Sequence, residues 1–406
     1  MGMPSILVKL YSIFFKYSLK HKLQTLSLAP AGDDSFGVTS RLDEPVALAN
    51  PSFTDGIATK DIHIDPFSAL SLRLFLPDTV LLASSPADAH PISDRTSYGG
   101  YSPPTGKHQR RLPLVIQFHG GAFVGGSNDT VANDTFCKRI AKLCDVIVVA
   151  VGYRLAPEHR YPAAFEDGLK ALNWLVKQAN LVECKNSIGS VRTVGGGDVK
   201  RSGGQKRIFD SLGVSTVEPW LAAHWDPSRC VLLGVSCGAN IADYVSQKAV
   251  EAGRFHEPVK VVAQVLMYPF FFGSVPTNSE VKLANSYLYD KSICKMVWKL
   301  FLPLEELNLD HPAANPLVPR KVALKCMPPT LTVVAENDIM RDRAIAYSEA
   351  LRRVNVDAPL LDYKDAVHEF ATLDLLLQTP QAKACAEDIA IWVKKYISLR
   401  GNELSY

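Results

Sequence analysis

The segment GVSCG at residues 234–238 has the residue types for nucleophilic chemistry at Ser236. It follows an apolar run at 230–235 that predicts a strand, and it precedes a helical pattern that begins near residue 240. A serine at the tip of a tight strand-to-helix turn projects its hydroxyl away from the sheet. Gly234 and Gly238 leave room for the backbone in such a turn. The sequence therefore predicts Ser236 as a nucleophile.

A second candidate element, HGG at residues 119–121, follows a predicted strand at 112–118. The backbone N–H groups of Gly120 and Gly121 can closely approach a carbonyl oxygen that becomes negatively charged during acyl transfer. A phosphate-binding loop or a plain turn is the alternative, but neither GxGxxG nor GxxxxGK[ST] fits this segment. We expect His119 to anchor the loop, and no cofactor is predicted.

A serine nucleophile needs a base, and after such a turn the expected chain order is serine, acid, histidine. Three histidines follow Ser236. His256 precedes the next predicted strand, so no acid from a strand end can intervene, and His311 lies in a proline-rich stretch. His368 lies in a loop after the last predicted strand and is the expected base.

The acid that orients this histidine is expected just after a strand. Asp338 follows the predicted strand at 330–336 by two residues and precedes His368. Glu336, at the end of that strand, is a weaker candidate. Asp342 falls in the first turn of a predicted helix, where the helix dipole alone favours a carboxylate. Asp338 is therefore the expected acid.

Four sequence motifs, taken in their order along the chain, resemble those of one known family. They are HGGAF at 119–123, GYRLAPEH at 152–159, GVSCGAN at 234–240 and AVHEF at 366–370. Together they resemble the hormone-sensitive-lipase-like α/β hydrolases, the GDXG-type lipolytic enzymes, and in particular plant carboxylesterases. The resemblance covers roughly residues 60–398.

This resemblance implies a catalytic triad and an oxyanion hole. The implied triad is Ser236, Asp338 and His368, and the hole is formed by backbone N–H groups of Gly120, Gly121 and Cys237. Many relatives carry Gly-Asp-Ser-Ala-Gly at the nucleophile, whereas this chain has valine and cysteine beside its serine. Neither change removes a backbone donor or a triad side chain.

The elements that must position these residues alternate along the chain. Alternation of strand and helix predicts a doubly wound, mostly parallel sheet, with the site at the carboxyl ends of its strands. This is the α/β-hydrolase fold that the resemblance implies. The predicted strands lie at 69–76, 112–118, 145–151, 230–235, 261–268, 330–336 and 358–363, and the predicted helices at 131–143, 163–180, 240–252, 341–354 and 381–399.

Three stretches do not fit the alternation. Residues 1–60 are expected to form an N-terminal lid or cap segment before a catalytic domain at 61–400. Within that domain, the Pro-rich stretch 78–111 predicts a solvent-exposed loop. The stretch 186–213, rich in glycine and basic residues, predicts a flexible insertion.

The N-terminal stretch carries the positive charge of the chain. If it is helical, Lys9, Lys16 and Lys20 form one narrow stripe, and apolar side chains fill the broad remainder of its surface. Such a helix requires burial, either as a lid over the acyl pocket or as a weak peripheral membrane contact through residues 1–24. We favour the lid because the apolar arc is wide.

Composition narrows the classes of protein. The chain has 406 residues, 47% of them hydrophobic, and a net charge of +3, which excludes a wholly disordered chain and disfavours a nucleic-acid partner. Its eight cysteines show no CxxC pair and no metal-ligand spacing, so reduced thiols and no metal site are expected. No secretory signal or membrane-spanning segment is predicted. We therefore expect a soluble, cytoplasmic protein.

These features together predict a serine carboxylesterase without cofactor. It would hydrolyse small-molecule esters, with short to medium acyl chains, to an alcohol and a carboxylate through an acyl-serine intermediate. A non-catalytic hormone receptor is one alternative, because the gibberellin receptors resemble the same family. Those receptors lack the catalytic histidine, whereas His368 is present here. Amide or lactone hydrolysis by the same triad is a further alternative.

Overall fold

Eight strands form one sheet in the computed structural model, which describes residues 5–28, 36–83, 99–104, 109–191 and 217–402. The strands are β1 (Ile57–Asp65), β2 (Leu70–Pro77), β3 (Leu112–Phe118), β4 (Ile147–Gly152), β5 (Trp225–Val235), β6 (Val261–Met267), β7 (Thr330–Ala335) and β8 (Leu360–Tyr363). Their spatial order is β1-β2-β4-β3-β5-β6-β7-β8. Strands β1 and β2 pair antiparallel, β2 and β4 also pair antiparallel, and all other neighbours are parallel. The predicted mostly parallel sheet is therefore confirmed.

Nine helices accompany the sheet within the described residues. They are α1 (Ile6–Leu28), α2 (Val131–Cys144), α3 (Ala163–Val191), α4 (Pro219–His224), α5 (Cys237–Ala252), α6 (Asn278–Lys282), α7 (Lys291–Phe301), α8 (Arg341–Arg353) and α9 (Pro380–Asn402). Strands β3, β4 and β7 are buried along their whole length, which explains their continuous apolar sequence. None of the described helices is long and apolar enough to cross a bilayer.

Edge strand β1 was not predicted. Its second half alternates half-buried residues such as Ile62 with exposed residues such as His63, and it has only β2 as a neighbour. This strand begins at Ile57, inside the stretch 1–60 that the sequence suggested as a lid segment. The sheet therefore starts four residues before the predicted domain boundary at 61.

Helix α1 packs on helix α7, and the connection leading into α7 supplies its partners. Ser12 accepts a hydrogen bond from the N–H of Leu288 at 3.0 Å, and the ring of Phe15 meets the edge of Tyr289 at 5.6 Å. Lys20 forms an ion pair of 3.0 Å with Asp290, the residue that caps the N-terminus of α7. These contacts hold α1 across the segment that precedes α7.

The orientation of α1 corrects one expectation. The sequence suggested that the broad apolar arc is buried, yet seven apolar residues of α1 point to solvent: Ile6, Leu7, Leu10, Ile13, Phe14, Tyr17 and Leu28. The lysine side faces the protein instead, because Asp290 attracts Lys16 and Lys20 and only a narrow strip that includes Val8 and Leu23 is buried. The helix is held by polar contacts as much as by apolar ones.

Two predicted irregular stretches are only partly described. Within 78–111, a 3₁₀ turn spans Asp78–Ala83 and residues 84–98 and 105–108 lie outside the described residues. Within 186–213, helix α3 continues to Val191, and the rest of the predicted insertion lies outside the described residues.

Candidate active site

Ser236 lies at the turn between strand β5 and helix α5. Its backbone has a φ of 52° and a ψ of −119°, in the region that is unfavourable for a residue with a side chain. A Cβ at Gly234 would collide with the backbone of Gly238 and Ala239, and one at Gly238 with the carbonyl oxygen of Phe118. The small residues of this segment are therefore required by the close approach of three backbone stretches.

A continuous hydrogen-bonded row joins Ser236 to the two residues predicted with it. The Oγ atom of Ser236 lies 2.7 Å from Nε2 of His368, and Nδ1 of His368 lies 2.7 Å from Oδ2 of Asp338. All three side chains are buried. Asp338 follows β7 and His368 follows β8, so neighbouring parallel strands deliver both residues to the same edge of the sheet.

The environment of His368 favours proton transfer. Burial alone would lower the pKa of its imidazole, but the adjacent Asp338 carboxylate outweighs burial, and the pKa is raised above the ordinary value of 6.5. The second oxygen of Asp338 accepts a hydrogen bond of 3.0 Å from the N–H of Met340, which fixes the carboxylate. The imidazole is therefore oriented and made more basic from the side opposite Ser236.

The alternative acids and bases have other partners. Glu336 accepts a hydrogen bond from the N–H of Asp365, and Asp342 accepts one from the N–H of Ser279. His256 contacts the side chain of Asn173, and His311 contacts Glu306. The structure thus brings Asp338 and His368 to the serine and engages their competitors elsewhere.

The HGG loop lies beside the Ser236 turn because β3 and β5 are parallel neighbours in which Phe118 pairs with Gly234. Gly121 has a φ of 106°, and a Cβ at this residue would collide with the carbonyl oxygen of Gly125. The carbonyl oxygen of Gly121 accepts hydrogen bonds from the N–H groups of Val124 and Gly125, at 3.1 and 2.9 Å. Glycine is therefore required where the loop turns back over the site.

His119 anchors this loop. Burial lowers the pKa of its imidazole to about 4, so the ring is neutral at physiological pH. Its Nδ1 atom donates to the carbonyl oxygen of Gly120 at 2.7 Å, and the ring stacks on Tyr153 with 4.1 Å between centroids. The Tyr153 hydroxyl in turn donates to the carbonyl oxygen of His119. These contacts agree with the structural role expected for His119.

Cys237, the residue after the serine, also has a packing role. Burial raises the pKa of its thiol to about 12, so the sulfur stays protonated. The Sγ atom accepts a hydrogen bond from the N–H of Phe123 at 3.1 Å and contacts the hydroxyl of Tyr153. The cysteine therefore ties the start of helix α5 to the HGG loop.

A cavity of about 360 Å³ opens next to this arrangement. Its described lining includes Gly120 and Gly121 of the HGG loop, aromatic residues of α1, and Tyr289 and Glu369. Sequence reasoning did not assign a role to Tyr289 or Glu369. The only available signal was the position of Glu369 directly after His368, within the AVHEF motif.

Comparisons with known proteins agree with this architecture. A profile described as the α/β hydrolase fold matches residues 115–372. Probable carboxylesterase 16 of Arabidopsis thaliana is 61% identical over the full length of both chains. Gibberellin receptor GID1B of the same plant is 31% identical, covering 84% of this chain and 80% of the receptor.

Among solved structures, an esterase of Pyrobaculum calidifontis superposes with a TM-score of 0.58 at 23% identity, covering 96% of this chain and 92% of the esterase. At this identity the structural likeness bears on the fold alone. The resemblance to α/β hydrolases suggested by the four motifs is confirmed by the profile match and by the plant relative. The chain belongs to the α/β hydrolase family.

Proposed function

We propose that this α/β hydrolase is a carboxylesterase whose nucleophile is Ser236. The observation that carries the proposal is the row of hydrogen bonds from Ser236 through His368 to Asp338, with 2.7 Å at each step. The probable carboxylesterase that matches the whole chain supports the same reaction class. Small-molecule esters are the expected substrates.

The first half of the reaction forms an acyl-serine. His368 Nε2 accepts the proton of the Ser236 hydroxyl as Oγ bonds to the ester carbonyl carbon. The electron pair of the carbonyl moves to its oxygen, where backbone N–H groups of Gly120, Gly121 and Cys237 form the proposed oxyanion hole. When the tetrahedral intermediate collapses, the bond to the alcohol oxygen breaks, and the imidazolium gives its proton to the alcohol.

The second half returns the enzyme to its starting state. Water gives a proton to His368 and attacks the acyl carbon, and the same N–H groups hold the second oxyanion. The bond to Ser236 then breaks, Oγ regains the proton from the imidazolium, and the carboxylic acid product leaves and releases its proton to solvent to become a carboxylate. Asp338 keeps the imidazole in the tautomer that each step needs, through its contact with Nδ1.

Helix α1 serves as a lid over the acyl-binding cavity in this proposal. Tyr11, Phe15 and Leu19 of α1 line the cavity together with glycines of the HGG loop, and an apolar lining of this kind suits short to medium acyl chains. The solvent-facing apolar side chains of the same helix, Ile13 among them, would mediate any weak peripheral membrane contact. If deletion of residues 1–24 abolished liposome binding and left ester kinetics unchanged, the lid would be refuted.

Two alternatives use the same site. A hormone receptor is suggested by the kinship with GID1B, but a receptor pocket has no need of an intact hydrogen bond between a serine and a histidine. Amide or lactone hydrolysis differs only in the leaving group. A panel of p-nitrophenyl esters, matched anilides and lactones separates these reactions by kcat/KM.

The location of the protein is proposed from its thiols. All eight cysteines are unpaired, and six of them are buried. Unpaired cysteines are typical of reducing compartments, so we infer an intracellular, cytoplasmic location. Fractionation of cells that express the tagged chain tests this inference.

Hydrolysis of p-nitrophenyl butyrate tests the proposed function. The wild type should turn over the ester, and Ser236→Ala should lose about 10⁴-fold or more in kcat. Ser52→Ala, at an exposed serine before β1, is the matched control and should retain full activity. Equal turnover by Ser236→Ala and the wild type would refute the assignment.

A further inference from the structure

Glu369 is a buried acid that the proposed mechanism does not use. It is 8% exposed, follows His368 directly, and has a φ of 58°, in the left-handed region that few residues with a side chain adopt. Among the described residues it takes part in no ion pair between charged side chains. Its side chain lines the cavity, so it faces the space where a substrate binds.

The Glu369 carboxyl lies directly over the HGG loop. A Cβ at Gly120 would collide with its Oε1 atom, and the same point lies 3.4 Å from Cβ of Ser236 and 3.3 Å from Cγ1 of Val235. The carboxyl also interacts with the N–H of Gly121 and the hydroxyl of Tyr289. One oxygen of Glu369 therefore lies against Gly120, on the side of that residue that faces Ser236, and the carboxyl also reaches the N–H of Gly121.

The ester carbonyl oxygen must enter this same space. During attack it must lie near Oγ of Ser236 and accept hydrogen bonds from Gly120 and Gly121. Glu369 already supplies an acceptor oxygen for Gly121, as a carboxylate product would. Glu369 is among the described residues that line the cavity, whereas Ser236 and His368 are not, so a ligand in the cavity contacts the Glu369 side chain.

The charge of Glu369 matters for the same reason. Burial raises the pKa of its carboxyl, while His368, the Gly121 N–H and the Tyr289 hydroxyl oppose that shift. A carboxylate left beside a developing oxyanion would repel it. The ionisable groups that face Glu369 from the surrounding elements are Tyr11, Tyr153, Cys237, Tyr268, Tyr289, Asp338 and His368.

We propose that Glu369 occupies the oxyanion hole of the free enzyme and that the ester carbonyl must displace its carboxyl before Ser236 can attack. This inference rests on the proposed esterase function and adds a residue that controls access to its site. Because the substrate must displace the Glu369 carboxyl when it binds, its affinity for the free enzyme is lowered. Once the acyl-serine has formed, the acyl oxygen already holds the site, so Glu369 affects KM more than kcat.

Two variants of Glu369 test the proposal. Glu369→Ala empties the site and should raise kcat/KM for p-nitrophenyl butyrate about tenfold, the equivalent of one net hydrogen bond, mainly by lowering KM. Glu369→Gln keeps an acceptor oxygen of the same size, so its gain in kcat/KM should be smaller than that of Glu369→Ala. Some gain is still expected because the neutral amide accepts a weaker hydrogen bond than the carboxylate does and is easier to displace. Glu305→Gln, at an exposed acid far along the chain, should leave kcat/KM unchanged.

Product inhibition gives a readout that altered packing alone would not produce. Added butyrate should inhibit Glu369→Ala at least several-fold more strongly than the wild type, because the vacated site accepts a free carboxylate. Unchanged or lower kcat/KM in both folded variants, with unchanged butyrate inhibition, would overturn the proposal. If Glu369→Ala does not fold, Glu369→Gln decides by the same criteria. Loss of turnover in the wild type itself would instead refute the esterase function.

Discussion

The loops that carry the proposed catalytic residues and helix α1, which lines the neighbouring cavity, are held by different contacts. Ser236, Asp338 and His368 sit on loops that leave three parallel strands, and each side chain is buried and hydrogen-bonded. Helix α1 instead rests on a narrow strip and on ion pairs with Asp290, while much of its apolar surface faces solvent. The proposed chemistry therefore depends on buried, hydrogen-bonded side chains, whereas α1 is held through few buried residues.

The largest expected effect on kcat comes from the loops that carry the proposed catalytic residues. Asp338→Asn should reduce kcat by about 10⁴-fold, because an amide at this position leaves the imidazole in the wrong tautomer. Asp342→Asn is the matched control, since Asp342 bonds the N–H of Ser279 and not His368. Steady-state kinetics on p-nitrophenyl butyrate measure both. If Asp338→Asn lowered kcat by less than tenfold, Asp338 would not be the acid that orients His368.

A smaller effect is expected from the HGG loop. Gly121→Ala should reduce kcat about 10²- to 10³-fold, because the new Cβ collides with Gly125 and displaces a proposed oxyanion donor. Gly99→Ala provides the control, since a Cβ at Gly99 meets nothing within 4 Å. Full activity of a folded Gly121→Ala variant would show that this loop does not stabilise the reaction.

Substitutions in helix α1 should change its packing and the binding of substrate rather than the chemical step. Leu23→Ala removes a side chain that is 0% exposed and should cost about 2–4 kcal/mol in the packing of α1, with a several-fold rise in KM and little change in kcat. Ile13→Ala, at a side chain that is 70% exposed, should change neither quantity. Thermal unfolding and Michaelis curves compare the two. A larger effect of Ile13→Ala than of Leu23→Ala would mean that α1 packs with its opposite face on the protein, and equal effects would contradict the burial of Leu23.

The smallest effect concerns pH. His368 must be neutral to accept the serine proton, and its pKa is raised above 6.5, so kcat/KM should fall as pH drops through a value above 6.5. Ionised Glu369 contributes to that raised pKa. Glu369→Gln should therefore move the acid limb of the profile to lower pH by less than one unit. A shift to higher pH would contradict the placement of Glu369 beside His368.

The same contrast explains what the sequence could predict. Buried strands such as β7 were predictable because they are apolar on both faces, and the chain order of serine, acid and histidine identified Ser236, Asp338 and His368. These features depend on local pattern and on strand order. The roles of these three residues remain predictions until the variants are measured.

Features that depend on distant partners were not predictable. Lys16 and Lys20 of α1 face inward because Asp290, about 270 positions away, attracts them. Strand β1 was missed because polar residues such as Lys60, Asp61 and His63 interrupt the apolar run by which the buried strands were recognised, and among the described strands it gains its only partner from β2. Glu369 follows His368 in the AVHEF motif, and nothing in that motif indicates that its carboxyl turns back over Gly120.

Covalent labelling tests the central claim most directly. Incubation with a fluorophosphonate, followed by intact-mass measurement and peptide mapping, should give one adduct per chain, on Ser236. The same treatment of His368→Ala should give no adduct, because the hydroxyl then lacks its base. Ester hydrolysis by a folded wild type whose Ser236 stays unmodified would contradict the account.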